Sequence, residues 1–270
     1  MKLQRFSVIL GAALLASACA QADGGKEWNI RIKQDGDSSW SFNIDGPMEY
    51  GTAGNRIQGS GNRVERSRSV APFTKLRLEG SLDVRVSQAA AADAVRINAD
   101  DNVEPLIESR VEGDTLIIRL QPGAGFRTKH APTVAIDARS LRAIALNGSG
   151  DLSMERFKGE ALSLAMSGSG DVHIGQIDVL DLTVDMRGSG DLRVSGNAQK
   201  QSWTMAGSGD VDARRLDGRT VSARLRGSGD IDVGQSDTLD VEIDGSGDLS
   251  YAGRPQLHSR VNGSGDVNRR

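Results

Sequence analysis

The chain of 270 residues holds one cysteine, six prolines and ten aromatic residues, 4% of the total. A single cysteine excludes any disulfide within the chain, so packing alone must hold the fold. Glycine stands at 33 residues with only six prolines, a ratio that excludes a collagen-type or proline-rich linker chain. There is no excess of basic residues: 33 Lys and Arg face 36 Asp and Glu, which argues against a nucleic-acid partner. No apolar run reaches the roughly 20 residues that a membrane-spanning helix needs. Beyond the N-terminus no stretch keeps a 3.6-residue hydrophobic period, so helices are not expected.

The longest apolar stretch, residues 6–18, follows Lys2 and Arg5. A charged start and an apolar segment of this length make a secretory signal, placed at residues 1–22. Two processing patterns overlap there. Ala18-Cys19-Ala20 and Ala20-Gln21-Ala22 both suit ordinary cleavage after small residues. Leu15-Ala16-Ser17-Ala18-Cys19 also fits a lipobox ending before Cys19, which would then be lipidated as the first mature residue. The chain is therefore expected to be exported to the cell envelope, as an outer-membrane lipoprotein or as a periplasmic or surface protein. A lipid on Cys19 would be its only membrane contact.

The tetrapeptide Gly-Ser-Gly-Asp occurs seven times, starting at Gly148, Gly168, Gly188, Gly207, Gly227, Gly245 and Gly263. Looser copies stand at Gly59-Ser60-Gly61-Asn62 and Gly80-Ser81-Leu82-Asp83. Two residues before each first glycine of the seven stand Leu146, Met166, Met186, Met205, Leu225, Ile243 and Val261; just after each aspartate stand Leu152, Val172, Leu192, Val211, Ile231, Leu249 and Val267. Two residues farther upstream come Ile144, Leu164, Val184, Trp203, Ala223 and Val241, with Ser259 breaking the series. Apolar residues at every second position mark strands with one buried face. One such unit cannot bury that face alone, but units stacked at about 4.8 Å enclose a continuous core. The expected fold is all-β: a parallel β-helix, or β-solenoid, with Gly-Ser-Gly-Asp turns every 18–20 residues. A β-propeller is the rival, disfavoured because a blade needs about 40 residues.

Residues 71–140 show the same alternation with worn turns, in Leu76, Leu78, Leu82, Val84 and Val86 and again in Leu116, Ile118 and Leu120. Residues 122–133 read as a loop and 48–68 as a flexible connector. Trp28, Ile30 and Ile32 alternate before Gly36, and Trp40, Phe42 and Ile44 after it, which predicts a hairpin. The organisation expected is thus a signal at 1–22, a hairpin and linker at 23–58, and the solenoid at 59–270.

Residues 66–73 lead into Thr74-Lys75-Leu76-Arg77-Leu78-Glu79-Gly80-Ser81-Leu82-Asp83-Val84-Arg85-Val86. Val95–Ile97, Asp101-Asn102-Val103, Gly113-Asp114-Thr115-Leu116-Ile117-Ile118 and the Gly-Ser-Gly-Asp turns follow. This series resembles the bacterial auto-transporter adhesin, head GIN domain family, over about residues 59–270. The resemblance implies a parallel β-helix of the pectin-lyase type and a role in cell adhesion. It brings no catalytic residues, and the segment 28–44 departs from it as a local addition.

Chemistry is sparse. His130, His173 and His258 are scattered and form no metal-binding spacing. A serine in seven equivalent copies is a structural element, not a unique nucleophile. The aspartates Asp151, Asp171, Asp191, Asp210, Asp230, Asp248 and Asp266 should stack in a column. Hydrogen bonds from turn N–H groups are the favoured reading of them, and a cation column the rival. Trp203 falls at a core position. No cofactor, metal or catalytic residue is expected. The function expected is non-enzymatic adhesion or binding to a surface polysaccharide or envelope protein, by a monomer. A polysaccharide lyase or hydrolase on the same fold is the alternative.

Overall fold

In the computed structural model, residues 29–34, 40–45, 48–51, 56–88 and 92–270 are described. They are strands joined by turns, with one 3-10 turn at Glu104–Leu106 and no α-helix among the described residues. The signal segment and Cys19 lie outside them.

The expected solenoid is present. Strands preceding the glycine turns stack in parallel from Lys75–Gly80 through Ala143–Gly148 and Ala161–Gly168 to Gln256–Gly263. Strands following the turns stack likewise, from Asp83–Gln88 through Leu152–Lys158 to Val267–Arg269. Gly80 pairs in register with Gly148, and so on to Gly245 with Gly263. The worn copy at Gly80 is therefore the first turn of the column. The copy at Gly59 is not: its amide donates to the Arg127 carbonyl, 2.7 Å away, and the Ser60 amide to Asn102 Oδ1 at 2.9 Å.

The apolar columns point inward as the alternation requires. Val184, Met186 and Ile231 are all buried, as are Met166 and Met205. The intervening Asn147, Ser167, Arg187, Ala206 and Arg226 are exposed. Val261, in the last of these strands, departs from the pattern at 39% exposed. Trp203 is buried, and its indole N–H donates to Gln201 Oε1 at 3.3 Å, which satisfies the one polar group that an interior tryptophan brings.

Each coil has three sides, set by where alternation slips. Between Val172 and Ser189, Val172, Ile174, Ile177, Val179, Leu182, Val184 and Met186 are buried, while 175–176, 180–181 and 187–189 break the rhythm. Consecutive non-inward residues can only be placed where the chain turns a corner. The corners also absorb the variation in repeat length. The coil one residue shorter loses it at the first corner, where the register passes from Ile174↔Val194 to Ile177↔Gly196.

The cap-forming region differs from expectation. Residues 48–68 are no connector: Met48–Gly51 and Arg56–Gln58 flank Gly125–Thr128 in a three-stranded sheet, and Arg63–Ser69 pairs antiparallel with Ala94–Asp100. The supposed loop 122–133 supplies that central strand, whose buried Phe126 stacks on Tyr50 at 4.8 Å between ring centroids. These strands are short and mostly exposed, so backbone pairing specifies them without an apolar alternation. Thr115–Leu120 and Thr133–Ala138 lie in parallel beside the first coil. Antiparallel Ile107–Glu112 and Ala94–Asp100 cover those in turn and close this end of the stack. Asn29–Gln34 and Trp40–Asp45 form the expected hairpin.

Candidate functional site

The aspartate column is a hydrogen-bonded ladder. Oδ1 of Asp151 accepts the backbone N–H of Asp171 at 2.9 Å, Asp171 that of Asp191 at 2.8 Å, and Asp191 that of Asp210 at 3.0 Å. Asp210, Asp230 and Asp248 continue the series to Asp266. Asp83 of the worn first turn begins it, accepting from Asp151 at 3.1 Å. Backbone bonds run beside it: each turn serine donates to the first glycine carbonyl one coil below, as Ser189 does to Gly168 at 2.9 Å. Unit charges about 4.8 Å apart in water repel by about 0.9 kcal/mol before salt screening. A hydrogen bond to a charged group contributes about 1.5–3 kcal/mol. The ladder outweighs the repulsion, and holding the column together requires no cation.

This ladder forms one wall of a groove. The residue after each aspartate points inward, and the next points outward again, so a trough runs along the outer face of the strands that follow the turns. It encloses about 700 Å³. Asp83, Asp151, Asp171, Asp191, Asp210 and Asp230 form one ridge, and Arg85, Ser153, His173, Arg193, Asp212 and Asp232 the other. Five steps of about 4.8 Å between six coils give the trough a run of about 24 Å. The second ridge is laced by ion pairs: Arg193 to Asp212 at 3.4 Å, Asp212 to Arg214 at 2.7 Å and Arg214 to Asp232 at 3.8 Å. Hydrogen bonds from the Arg214 guanidinium, opposed by partial burial, hold the Asp212 carboxyl well below the usual carboxylate range. These side chains are largely exposed, so the pairs fix the shape of the ridge more than they stabilise the fold.

Of the residues singled out in the sequence, the six aspartates from Asp83 to Asp230 and His173 meet in this groove. His258 lies on another outer face, that of the strands preceding the turns, in a depression with Arg224, Glu242 and Arg260. His130 is exposed near the cap, where its carbonyl accepts from Arg63 at 3.1 Å. Among the described residues no three His, Cys, Asp or Glu side chains are grouped to hold a metal ion. Sequence reasoning missed the second ridge. Its signal is positional, two residues after each aspartate, and its members share no chemistry that would mark them as a motif.

Among the described residues no helix is long and apolar enough to cross a membrane. The family model described as "Putative auto-transporter adhesin, head GIN domain" matches residues 72–255. Among solved structures, a "putative adhesin" from Bacteroides fragilis is 25% identical, with a TM-score of 0.74 over 79% of this chain and 99% of that one. A "putative lipid binding protein" from Parabacteroides distasonis is also 25% identical, with a TM-score of 0.67 over 80% of this chain and 99% of that one. A "putative adhesin" from the same organism, 22% identical with a TM-score of 0.65, covers 80% and 100% and shares the fold. No curated protein matches the chain.

Proposed function

The chain belongs to the auto-transporter adhesin, head GIN domain family, and we propose from this premise that it is an exported, non-enzymatic binding protein of the bacterial envelope. Its ligand is an extended surface polymer, and the groove is where that polymer lies. The observation that carries this reading is the groove's form: a straight trough over six coils, with equivalent carboxylates at each step. A catalytic site needs one set of groups unlike its neighbours, whereas a repeated surface suits a repeated ligand. The lipid-binding description of the Parabacteroides neighbour is not carried over, because the apolar columns here are buried along the stack and open only at the last coil.

A glycan screen run beside a uronic-acid depolymerisation assay tests the proposal. Binding to a surface polysaccharide without release of shorter products is expected, and His173→Trp, which puts an indole into the trough, should abolish it. Depolymerisation by the native protein would overturn the reading, as would binding unchanged in that variant.

We propose further that Cys19 carries a lipid and that the protein acts as a monomer held off the membrane by residues 21–26. Cys19→Ser should move it from the membrane fraction to the soluble one. An unmodified mature N-terminus at Gln21 or Asp23, found by mass spectrometry, would decide for an ordinary signal.

A further inference from the structure

The groove's width, period and charge together narrow what can lie in it; the argument rests on the groove being the binding surface. The two ridges are the aspartate that leads into each strand and the residue two positions after it, extended backbone that sets them about 7 Å apart. A helix with its side chains is about 10–12 Å across and does not enter. A single unbranched chain does. Along the axis the ridges repeat every 4.8 Å or so, close to the advance of one ring in a β-1,4-linked pyranose chain, whose rings alternate in facing so that same-side groups recur at every second ridge step. An extended polypeptide presents same-side side chains only about every 6.8 Å, out of step with the ridges. The period therefore favours a sugar chain over a peptide.

Charge sets the kind of sugar. Eight carboxylates line the groove against three guanidiniums and His173. Two of the three, Arg193 and Arg214, are already engaged by Asp212 and Asp232. The ladder uses Oδ1 of each ridge aspartate, which leaves the Oδ2 atoms of Asp151, Asp171, Asp191, Asp210 and Asp230 open to a ligand. An anionic polymer is repelled by such a trough, and a neutral one leaves its charge uncompensated.

We infer that the groove takes an unbranched amino-sugar polymer with free amines, one ring per coil, every second ammonium group against the aspartate ridge.

The test uses the full mature protein and three probes in calorimetry: a glucosamine hexamer, its fully N-acetylated counterpart and hexalysine. The glucosamine hexamer should bind tightest and weaken as salt is raised. Asp171→Asn with Asp191→Asn keeps each Oδ1 acceptor, so the ladder and the melting temperature should persist. Whichever way the rings face, one exposed ion pair is lost, which should weaken the glucosamine hexamer by up to about fivefold and leave the acetylated one unchanged. Equal or tighter binding of the acetylated hexamer would overturn the amine requirement while keeping the groove as the binding surface. Tighter binding of hexalysine would overturn the sugar assignment in the same way. Glucosamine binding that ignores both the double variant and His173→Trp would remove the groove itself, and with it the reading beneath.

Discussion

Gly188→Ala is expected to destabilise the fold by about 3 kcal/mol or more, lowering the melting temperature by roughly 6–12 °C. Two costs combine there. Gly188 has φ of 138°, a region that a side chain resists, and a Cβ built on it would lie 2.0 Å from the Gly168 carbonyl oxygen. That oxygen cannot retreat, because it accepts the Ser189 amide at 2.9 Å and is fixed by the coils on both sides. Gly123→Ala is the matched control. Its φ is 77° but nothing lies within 4 Å of the added Cβ, so only backbone strain of about 1–2 kcal/mol is expected. Thermal unfolding of the two variants compares close approach with dihedral strain. Melting temperatures within about 2 °C of each other would show that the stacked contact is not what the glycine serves.

Val184→Asp is expected to prevent folding altogether. Val184 is 2% exposed, paired in register with Leu164 below and Trp203 above. A carboxylate there has no cation or N–H to meet, since the neighbouring amides already pair from strand to strand. An uncompensated buried charge costs about 3–5 kcal/mol, added to the lost packing, against a total stability of about 5–15 kcal/mol for ordinary proteins. Val184→Ala, which removes only two methyl groups, should cost about 2 kcal/mol and remain folded. Circular dichroism and solubility of the two variants check this, and a soluble, cooperatively melting Val184→Asp protein would mean that the side chain has an exit to solvent.

Much of the solenoid was legible because repetition multiplies a weak signal. One alternating segment such as Leu164, Met166 and Val172 is ambiguous; seven in step with one turn are not. The worn turn at Gly80 shows why copies differ. Gly148 and Gly150 are needed because their Cβ atoms would strike the backbone of Gly80 and Leu82 at 2.1 and 2.2 Å. Nothing of the kind lies beneath Gly80, which has no atom within 4 Å of its Cβ position, so Leu82 can stand where every later turn has its second glycine. A positive φ is not the common requirement: Gly207 lacks one, yet its Cβ would still lie 2.0 Å from Gly188 O.

The cap was less legible. Arg63–Ser69 carries exposed arginines on a strand that backbone pairing defines, and Phe126 sits alone among Gly, Arg and Thr. The three sides of a coil were hidden as well, since a corner such as 175–176 is marked by two polar or small residues of no fixed type. Of the groove, one wall was in plain view as the repeated aspartate. The other was not, because Arg85, Ser153, His173, Arg193, Asp212 and Asp232 agree in position alone.

The aspartate ladder gives the stack a direction. Every carboxylate reaches toward the coil that follows it in the chain and never toward the one before. From Asp151 onward a finished coil therefore presents the incoming one with a carbonyl rail, a row of apolar knobs and a charged acceptor aimed at its next turn, all only 18–20 residues from their partners. Contacts so near in sequence incur little loop-closure entropy. Assembly can start on the antiparallel cap and advance one coil at a time, in the order in which the chain is made, N-terminus first.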